Sequence, residues 1–165
     1  MKKLMRQQGF TLPELLMAIM LVALMAGGGL RSGHAYLQAL RLEQHARQLL
    51  DFLTRAQAGA RWHNHNRTLW VIHAGSGWCL VTGFSPAGGC PSAGGARVFM
   101  PDDRRIELAE YTARRFDFYG LRNAAQPGHL TLANPAGRIR LVISVRGRLR
   151  LCSERQAILA LPRCE

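Results

Sequence analysis

The chain has 165 residues, of which 48% are hydrophobic, and its 22 basic residues against ten acidic ones give a formal net charge of +12. This length leaves room for one small domain with a core of its own and excludes a large multidomain protein. The positive charge can be explained in two ways. It indicates either an anionic partner, such as nucleic acid, anionic lipid or acidic polysaccharide, or a solvated basic surface that keeps the protein soluble.

The first thirty residues combine a processing signal with an apolar helix. Residues 1–9 are short, basic and polar, and an apolar run begins at Phe10 and continues to Leu30. A secretory signal is cleaved after its apolar run, whereas the plausible site here precedes the run, between Gly9 and Phe10. We therefore predict a cleaved leader over residues 1–9 and a transmembrane or filament-core helix over residues 10–30.

Glu14 is the only formally charged side chain between Phe10 and Leu30. An ionised carboxylate in hydrocarbon costs roughly 2.5–3.5 kcal/mol, so Glu14 needs a partner. Cleavage creates one, because the new Phe10 ammonium lies about one helical turn away, and a neighbouring subunit can offer its own amino terminus. Pro13 fits the first turn of the shortened helix. Glu14 is thus the predicted assembly residue; the alternative is a plain membrane anchor with a stray glutamate.

Gly9, Phe10 and Glu14 give the segment its resemblance to a known leader. It resembles the class III leader of type IV pilins and type II secretion pseudopilins, in which glycine precedes an apolar residue to be N-methylated and glutamate occupies mature position five. The resemblance implies cleavage by a prepilin peptidase, N-methylation of Phe10 and assembly with other pilins or pseudopilins. Basic residues in the leader favour a cytoplasmic amino end. We expect a single-pass protein of the bacterial inner membrane with a periplasmic carboxyl domain.

After Gly27, Gly28 and Gly29 the helical period resumes over residues 31–60. Apolar residues recur at spacings of three and four, and most charged residues fall on other faces. The pattern predicts an amphipathic second half of one long helix, ending near Gly59. The three glycines either form a flexible joint or are ordinary residues of a membrane helix. The predicted apolar stripe consists of Leu42, Ala46, Leu49, Phe52 or Leu53, and Ala56.

From Thr68 onward the pattern changes to strands, so residues 61–165 are predicted to form a β-rich domain. Turn signals lie at Gly75-Ser76-Gly77 and at Asn134-Pro135-Ala136-Gly137. One long helix followed by antiparallel strands is an α+β fold, with the helix stripe packed on the sheet. The candidate strands are 69–72, 78–81, 98–100, 106–108, 115–118, 129–132, 138–144 and 148–152.

The four cysteines lie beyond the apolar run, and no C-x-x-C spacing occurs, which argues against a zinc site. Three pairings are possible. We prefer Cys79–Cys90 with Cys152–Cys164, because each closes a short loop next to a predicted strand and contributes about 3 kcal/mol in the chain-entropy model. Such bridges persist in an oxidising periplasm.

A hairpin is predicted over residues 137–152, and its alternation of apolar and basic residues sets the register. A two-residue loop would place Arg150 opposite Ile143 and break the apolar face. A three-residue loop, Val145-Arg146-Gly147, pairs Ile143 with Leu149 instead, and by the same register Leu141 pairs with Leu151. Gly147 then takes the left-handed position at the end of the loop.

In this register the hairpin arginines face outward together, with no acidic residue between Gly137 and Leu151. Guanidinium groups bind phosphate oxygens through a planar fork of donors, and such contacts position nucleic acid without reading its sequence. The alternative is an ordinary solvent-facing strand pair. The predicted cationic face consists of Arg138, Arg140, Arg148 and Arg150, with Arg146 at the tip.

Together, the leader and the C-terminal Gly-Arg-x-Arg element resemble the GspH/FimT family of pseudopilins and minor pilins. Its FimT-like branch is implicated in DNA binding during natural transformation through this motif, which corresponds here to Gly147, Arg148 and Arg150. The resemblance implies a pilin-like fold and non-specific DNA as a partner. Gly137-Arg138-Ile139-Arg140 has the same spelling and is an auxiliary patch at most. The alternative function is a GspH-like structural pseudopilin of type II secretion with no nucleic-acid ligand.

Other polar and aromatic signals receive ordinary structural interpretations. The His63-Asn64-His65-Asn66 string lacks the context of a metal site and is predicted to be a polar loop. Asp102 and Asp103 follow a proline and indicate a turn. Phosphate-binding, dinucleotide-binding and nucleophile-elbow motifs are absent from the sequence, so we expect no enzyme, catalytic residue, metal or cofactor. The tryptophans at 62, 70 and 78 are expected in the core.

Overall fold

The computed structural model describes residues 11–75, 77–83, 89–91, 97–122 and 124–164, apart from the side chains of residues 26–32. The chain divides into two compact units, Met1–Tyr36 and Leu37–Glu165. The predicted cleavage site between Gly9 and Phe10 lies outside the described residues, so it stays a prediction.

Helix α1 spans Leu12–Trp62. The Thr11 carbonyl oxygen begins it by accepting hydrogen bonds from the backbone N–H groups of Glu14 and Leu15, at 3.0 and 3.1 Å. Pro13 lies in this first turn, where its missing N–H costs no helical bond. The backbone remains helical through the three glycines at 27–29, and the helix ends three residues beyond the predicted end near Gly59.

The described side chains of the first unit are exposed from Thr11 to Met25. Among the residues that the structure describes, no helix is long and apolar enough to cross a membrane. The predicted single-pass anchor over residues 10–30 is therefore not confirmed.

Within the second unit, the predicted apolar stripe of α1 forms one side of the core. All its members are buried, and Phe52 and Leu53 both belong to it, as does Ala60 one turn beyond Ala56. The Phe52 ring lies 5.8 Å from the Phe99 ring, which in turn lies 5.8 Å from the Trp78 ring. The prediction of an amphipathic helix packed on antiparallel strands is confirmed.

The strands form two antiparallel sheets. The five-stranded sheet has the order β3-β2-β1-β5-β6, and the four-stranded sheet has the order β4-β7-β8-β9. The α+β prediction is confirmed. The strands are β1 Arg67–Ala74, β2 Gly77–Thr82, β3 Val98–Phe99, β4 Glu107–Tyr111, β5 Arg115–Tyr119, β6 Ala124–Ala125, β7 Gly128–Asn134, β8 Gly137–Ile143 and β9 Leu149–Ser153.

Each predicted strand corresponds to one of these elements, with ends that differ by a few residues. The largest difference is β4, which begins at Glu107 and continues to Tyr111 because it pairs with β7 on both sides of a register shift between Leu108 and Glu110. Strand β6 was not predicted. Its two alanines carry no alternating pattern, and it exists through its pairing with Phe118 and Tyr119 of β5.

Both predicted disulfides are present. Cys79 of β2 is bonded to Cys90, and Cys152 of β9 is bonded to Cys164. The second bridge holds the C-terminal segment beside β9, where the Cys164 N–H donates to the Ser153 carbonyl oxygen at 2.9 Å. The segment therefore covers that end of the β9 edge.

Candidate nucleic-acid interface

The hairpin of β8 and β9 has the predicted register. Ile143 is opposite Leu149, and Leu141 is opposite Leu151. Leu141 and Ile143 are fully buried in the core, whereas the arginines alternate with them on the other face. The apolar face thus fixes which side of the hairpin the basic residues occupy.

The loop between the strands is closed by its own hydrogen bonds. The Gly147 N–H donates to the Ser144 carbonyl oxygen at 2.9 Å, and the Ser144 N–H donates to the Arg148 carbonyl oxygen at 3.0 Å. The Arg148 N–H also donates to Ser144 Oγ at 2.9 Å. Gly147 has φ +70°, the left-handed conformation predicted for it, which disfavours any residue with a Cβ.

Two further hydrogen bonds tie this loop to the body of the domain. Gln57 Nε2 of α1 donates to the Gly147 carbonyl oxygen at 2.7 Å. The Ala125 N–H of β6 donates to the Val145 carbonyl oxygen at 3.0 Å. The loop is thereby anchored on both sides, by a helix and by a strand that the sequence did not reveal.

Three arginines converge on one open depression of about 460 Å³ beside this loop. Arg146, Arg148 and Arg150 are all exposed. Within the described ranges, none of them forms an ion pair with a carboxylate, unlike Arg138 and Arg140. The depression therefore presents uncompensated guanidinium groups on a fixed backbone, an arrangement suited to phosphate. Its remaining lining residues are Val142, Ser144 and Val145.

Arg138 and Arg140 lie on the same face of the sheet as Arg150, as predicted, but they are paired with carboxylates and are not fully exposed. Arg140 Nη2 lies 2.8 Å from Glu154 Oε1 and 3.2 Å from Glu110 Oε2, and Arg138 Nη1 lies 3.5 Å from Glu154 Oε2. Both side chains are partly buried. The carboxylates come from β4 and from the residue after β9, so the acid-free stretch of sequence did not mean an acid-free surface.

Glu154 is the best-buried acid of this ion-pair cluster. Burial disfavours its charged form, but a hydrogen bond from Thr131 and the charges of Arg140 and Arg138 outweigh that effect, so the pKa of Glu154 lies below its ordinary value. Thr131 Oγ1 donates to Glu154 Oε1 at 3.0 Å. Both arginines of the second Gly-Arg-x-Arg element therefore have carboxylate partners within the domain.

Only one of the three tryptophans lies in the core as expected. Trp78 is buried, and its Nε1–H donates to the Ile106 carbonyl oxygen at 3.0 Å. Trp70 is half-buried, with the Arg115 guanidinium 5.7 Å from its ring centroid. Trp62 in the last turn of α1 is 88% exposed. The exposure of Trp62 could have been predicted from a helical projection. Trp62 lies about 240° around the helix from Ala56 and is therefore outside the apolar stripe.

The other polar signals lie on turns. His63 and His65 are exposed just after α1, and Asn64 between them has φ +53°. Asp103 accepts a hydrogen bond from the Arg105 N–H at 3.0 Å and lies 3.8 Å from Arg41. Among the residues that the structure describes, no three His, Cys, Asp or Glu side chains are grouped so that they could hold a metal ion.

Both the N-terminal segment and the fold of the chain are similar to known proteins. Residues 4–30 match the family described as "Prokaryotic N-terminal methylation motif". Two crystal structures of the type IV minor pilin FimU from Pseudomonas aeruginosa (strain PAO1) are similar in fold, with TM-scores of 0.52 and 0.50. The fold of the chain is pilin-like.

The likeness to FimU extends to the fold alone, since the sequence identities are 16% and 17%. Each alignment covers 67% of this pilin-like chain, with 87% and 91% of the FimU chains. No curated protein matches the sequence. The methylation motif includes Gly9, Phe10 and Glu14, whereas the FimT-like reading of Gly147, Arg148 and Arg150 stays a prediction.

Proposed function

We propose that this pilin-like chain is a minor subunit of a type IV pilus or of the related type II secretion filament. The methylation motif at residues 4–30 and the minor-pilin fold support this role. A prepilin peptidase would cleave between Gly9 and Phe10, and Phe10 would then be N-methylated. Before assembly the chain would lie in the bacterial inner membrane, with its β-rich domain in the periplasm and other pilins as its partners.

Within that role, we infer that the hairpin binds DNA without sequence preference, for uptake in natural transformation. The observation that carries this inference is the depression at the loop, where Arg146, Arg148 and Arg150 meet. Arginine forks bind phosphate oxygens, which all sequences share. Gly147 contributes through its backbone, because its left-handed conformation and its bond from Gln57 hold the loop.

The anchored loop gives the site a physical advantage over three arginines on a flexible segment. Binding a ligand to a flexible loop requires ordering of the loop, at a cost in conformational entropy. Here the backbone is already fixed by hydrogen bonds from Gln57 and Ala125. Only the arginine side chains must be ordered when phosphate binds.

The test uses the full-length chain in a non-ionic detergent and two DNA duplexes of unrelated sequence. Both duplexes should bind with similar affinity, and the logarithm of affinity should fall linearly with the logarithm of salt, with a slope of about −0.9 per phosphate neutralised. The double variant Arg148→Gln with Arg150→Gln should bind more weakly, and the magnitude of its salt slope should be smaller by about two.

The matched control is Arg104→Gln with Arg105→Gln, which removes the same charge from two exposed arginines elsewhere. These residues border a separate depression with Gln48 of α1, and Gln48 lies about 14 Å along the helix axis from Gln57. The control should retain the wild-type slope. Equal losses in the two double variants would mean attraction by net charge alone. Absence of binding by the wild type at low salt would leave a purely structural filament subunit.

A further inference from the structure

The last turn of α1 lies beside the arginine loop. The bond of 2.7 Å from Gln57 Nε2 to the Gly147 carbonyl oxygen places this face of the helix against the loop. Arg61 follows Gln57 by four residues, so it lies on the same helix face and about 6 Å further along the axis. Its side chain is exposed.

A second set of contacts packs another segment of the chain against the end of α1. A Cβ built on Gly120 would lie 2.6 Å from the Ala60 carbonyl oxygen and 2.8 Å from backbone atoms of Asn64 and His65, so the chain after β5 packs directly on the helix end. That chain leads into β6, whose Ala125 N–H bonds to Val145 of the loop. The chain after β5 therefore contacts the helix end at Gly120 and the arginine loop at Ala125.

Arg61 also differs from other exposed arginines of α1 in its charge partners. Arg47 and Arg55 pair with Glu43 and Asp51, one turn before them on the helix. In the part of the chain that the structure describes, Arg61 forms no ion pair with an acidic residue. A cation in the last turn does interact favourably with the helix dipole, and this interaction leaves the donors of the guanidinium group available.

We propose that Arg61 is a fourth phosphate-binding residue of the hairpin site, which would therefore extend from the loop onto the end of α1. This inference rests on the proposed DNA binding by Arg146, Arg148 and Arg150. It makes the footprint on the DNA wider than the Gly-Arg-x-Arg motif alone. The arginines of the loop then form one side of the site, and Arg61 at the end of α1 forms the other.

The test compares Arg61→Gln with Arg55→Gln in the full-length chain, in non-ionic detergent and with the same duplexes. Each variant removes one positive charge from an exposed position of the same helix, but Arg55 lies about 200° around the helix from Gln57. Arg61→Gln should reduce the magnitude of the salt slope by about 0.9, whereas Arg55→Gln should leave it unchanged. Arg61→Lys, which keeps the charge, should retain the wild-type slope.

Thermal unfolding provides a second readout that does not depend on DNA. A purely structural role of Arg61 would change the thermal unfolding of Arg61→Gln without changing the salt slope.

The possible failures are distinguishable. If the wild type binds DNA and the Arg148→Gln, Arg150→Gln variant weakens it, but Arg61→Gln behaves like Arg55→Gln, the helix-end contact is wrong and the hairpin site stands. If the wild type does not bind DNA at low salt, the proposed binding function fails, and this inference fails with it.

Discussion

Gln57 and Gly147 are 90 residues apart in the chain, yet the side-chain amide of the first donates a hydrogen bond of 2.7 Å to the carbonyl oxygen of the second. This bond joins the helix to the loop that presents the arginines. It places the candidate phosphate site at the junction of α1 with the four-stranded sheet. The geometry of the site therefore depends on a residue with no charge and no sequence motif.

Replacement of Gln57 by alanine should weaken DNA binding without changing its salt slope. No cation is lost, so the number of neutralised phosphates stays the same, whereas the loop loses one anchor and must be ordered on binding. The free energy of unfolding should fall by about 0.5–1.5 kcal/mol, the usual net value of one hydrogen bond. Gln48→Ala, at an exposed position of the same helix, is the control. A reduced slope for Gln57→Ala would contradict this prediction and show that loosening the loop removes contacts between the arginines and phosphates.

Replacement of Gly147 by alanine should destabilise the loop, because Gly147 has φ +70°. The left-handed conformation costs a residue with a Cβ roughly 1–2 kcal/mol, which urea unfolding would measure. Gly77→Ala is a suitable comparison, since an added Cβ there meets nothing closer than 3.9 Å and its φ is not positive. Equal stability of the two variants would contradict the strain argument.

The hairpin shows which features of the site can be predicted from the sequence. Its register and the conformation of Gly147 follow from local alternation and turn chemistry, and both are confirmed. The two disulfides also follow from short loops beside strands. These features depend on residues that are close in the chain, where spacing carries the information.

The charge distribution over the site could not be predicted in the same way. Glu110 lies 30 residues before Arg140, and it reaches Arg140 because β4, β7 and β8 are neighbours in one sheet. Periodicity predicts which face a side chain occupies but not which strand lies beside it. The same limit explains the anchor on β6, since only the folded arrangement brings Ala125 to Val145.

Glu154 should make the stability of the domain depend on pH in the acid range. Its pKa is lowered in the folded protein, so its contribution is present above the ordinary value of 4.5 and is lost as the pH falls through the lower folded value. Glu154→Gln should be less stable than the wild type at pH 7, and the difference should shrink below pH 4.5. Urea unfolding at several pH values measures it.

Glu107→Gln serves as the control for this pH experiment. Glu107 is exposed on β4, and within the described chain it forms no ion pair. Its replacement should leave the pH dependence close to that of the wild type. A difference between wild type and Glu154→Gln that stays constant from pH 7 to pH 3 would mean that the carboxylate charge does not contribute.

Glu14 should act in assembly and not in processing. It lies in the first turn of α1 with an exposed side chain, where the amino terminus of a neighbouring subunit would neutralise it. Glu14→Ala should still be shortened between Gly9 and Phe10, as mass spectrometry of the amino-terminal peptide would show, but little of it should enter sheared filaments. Gly9→Leu, in contrast, should block shortening. If Glu14→Ala enters filaments at the wild-type level, its carboxylate has no partner during assembly, and the proposed role of Glu14 is wrong.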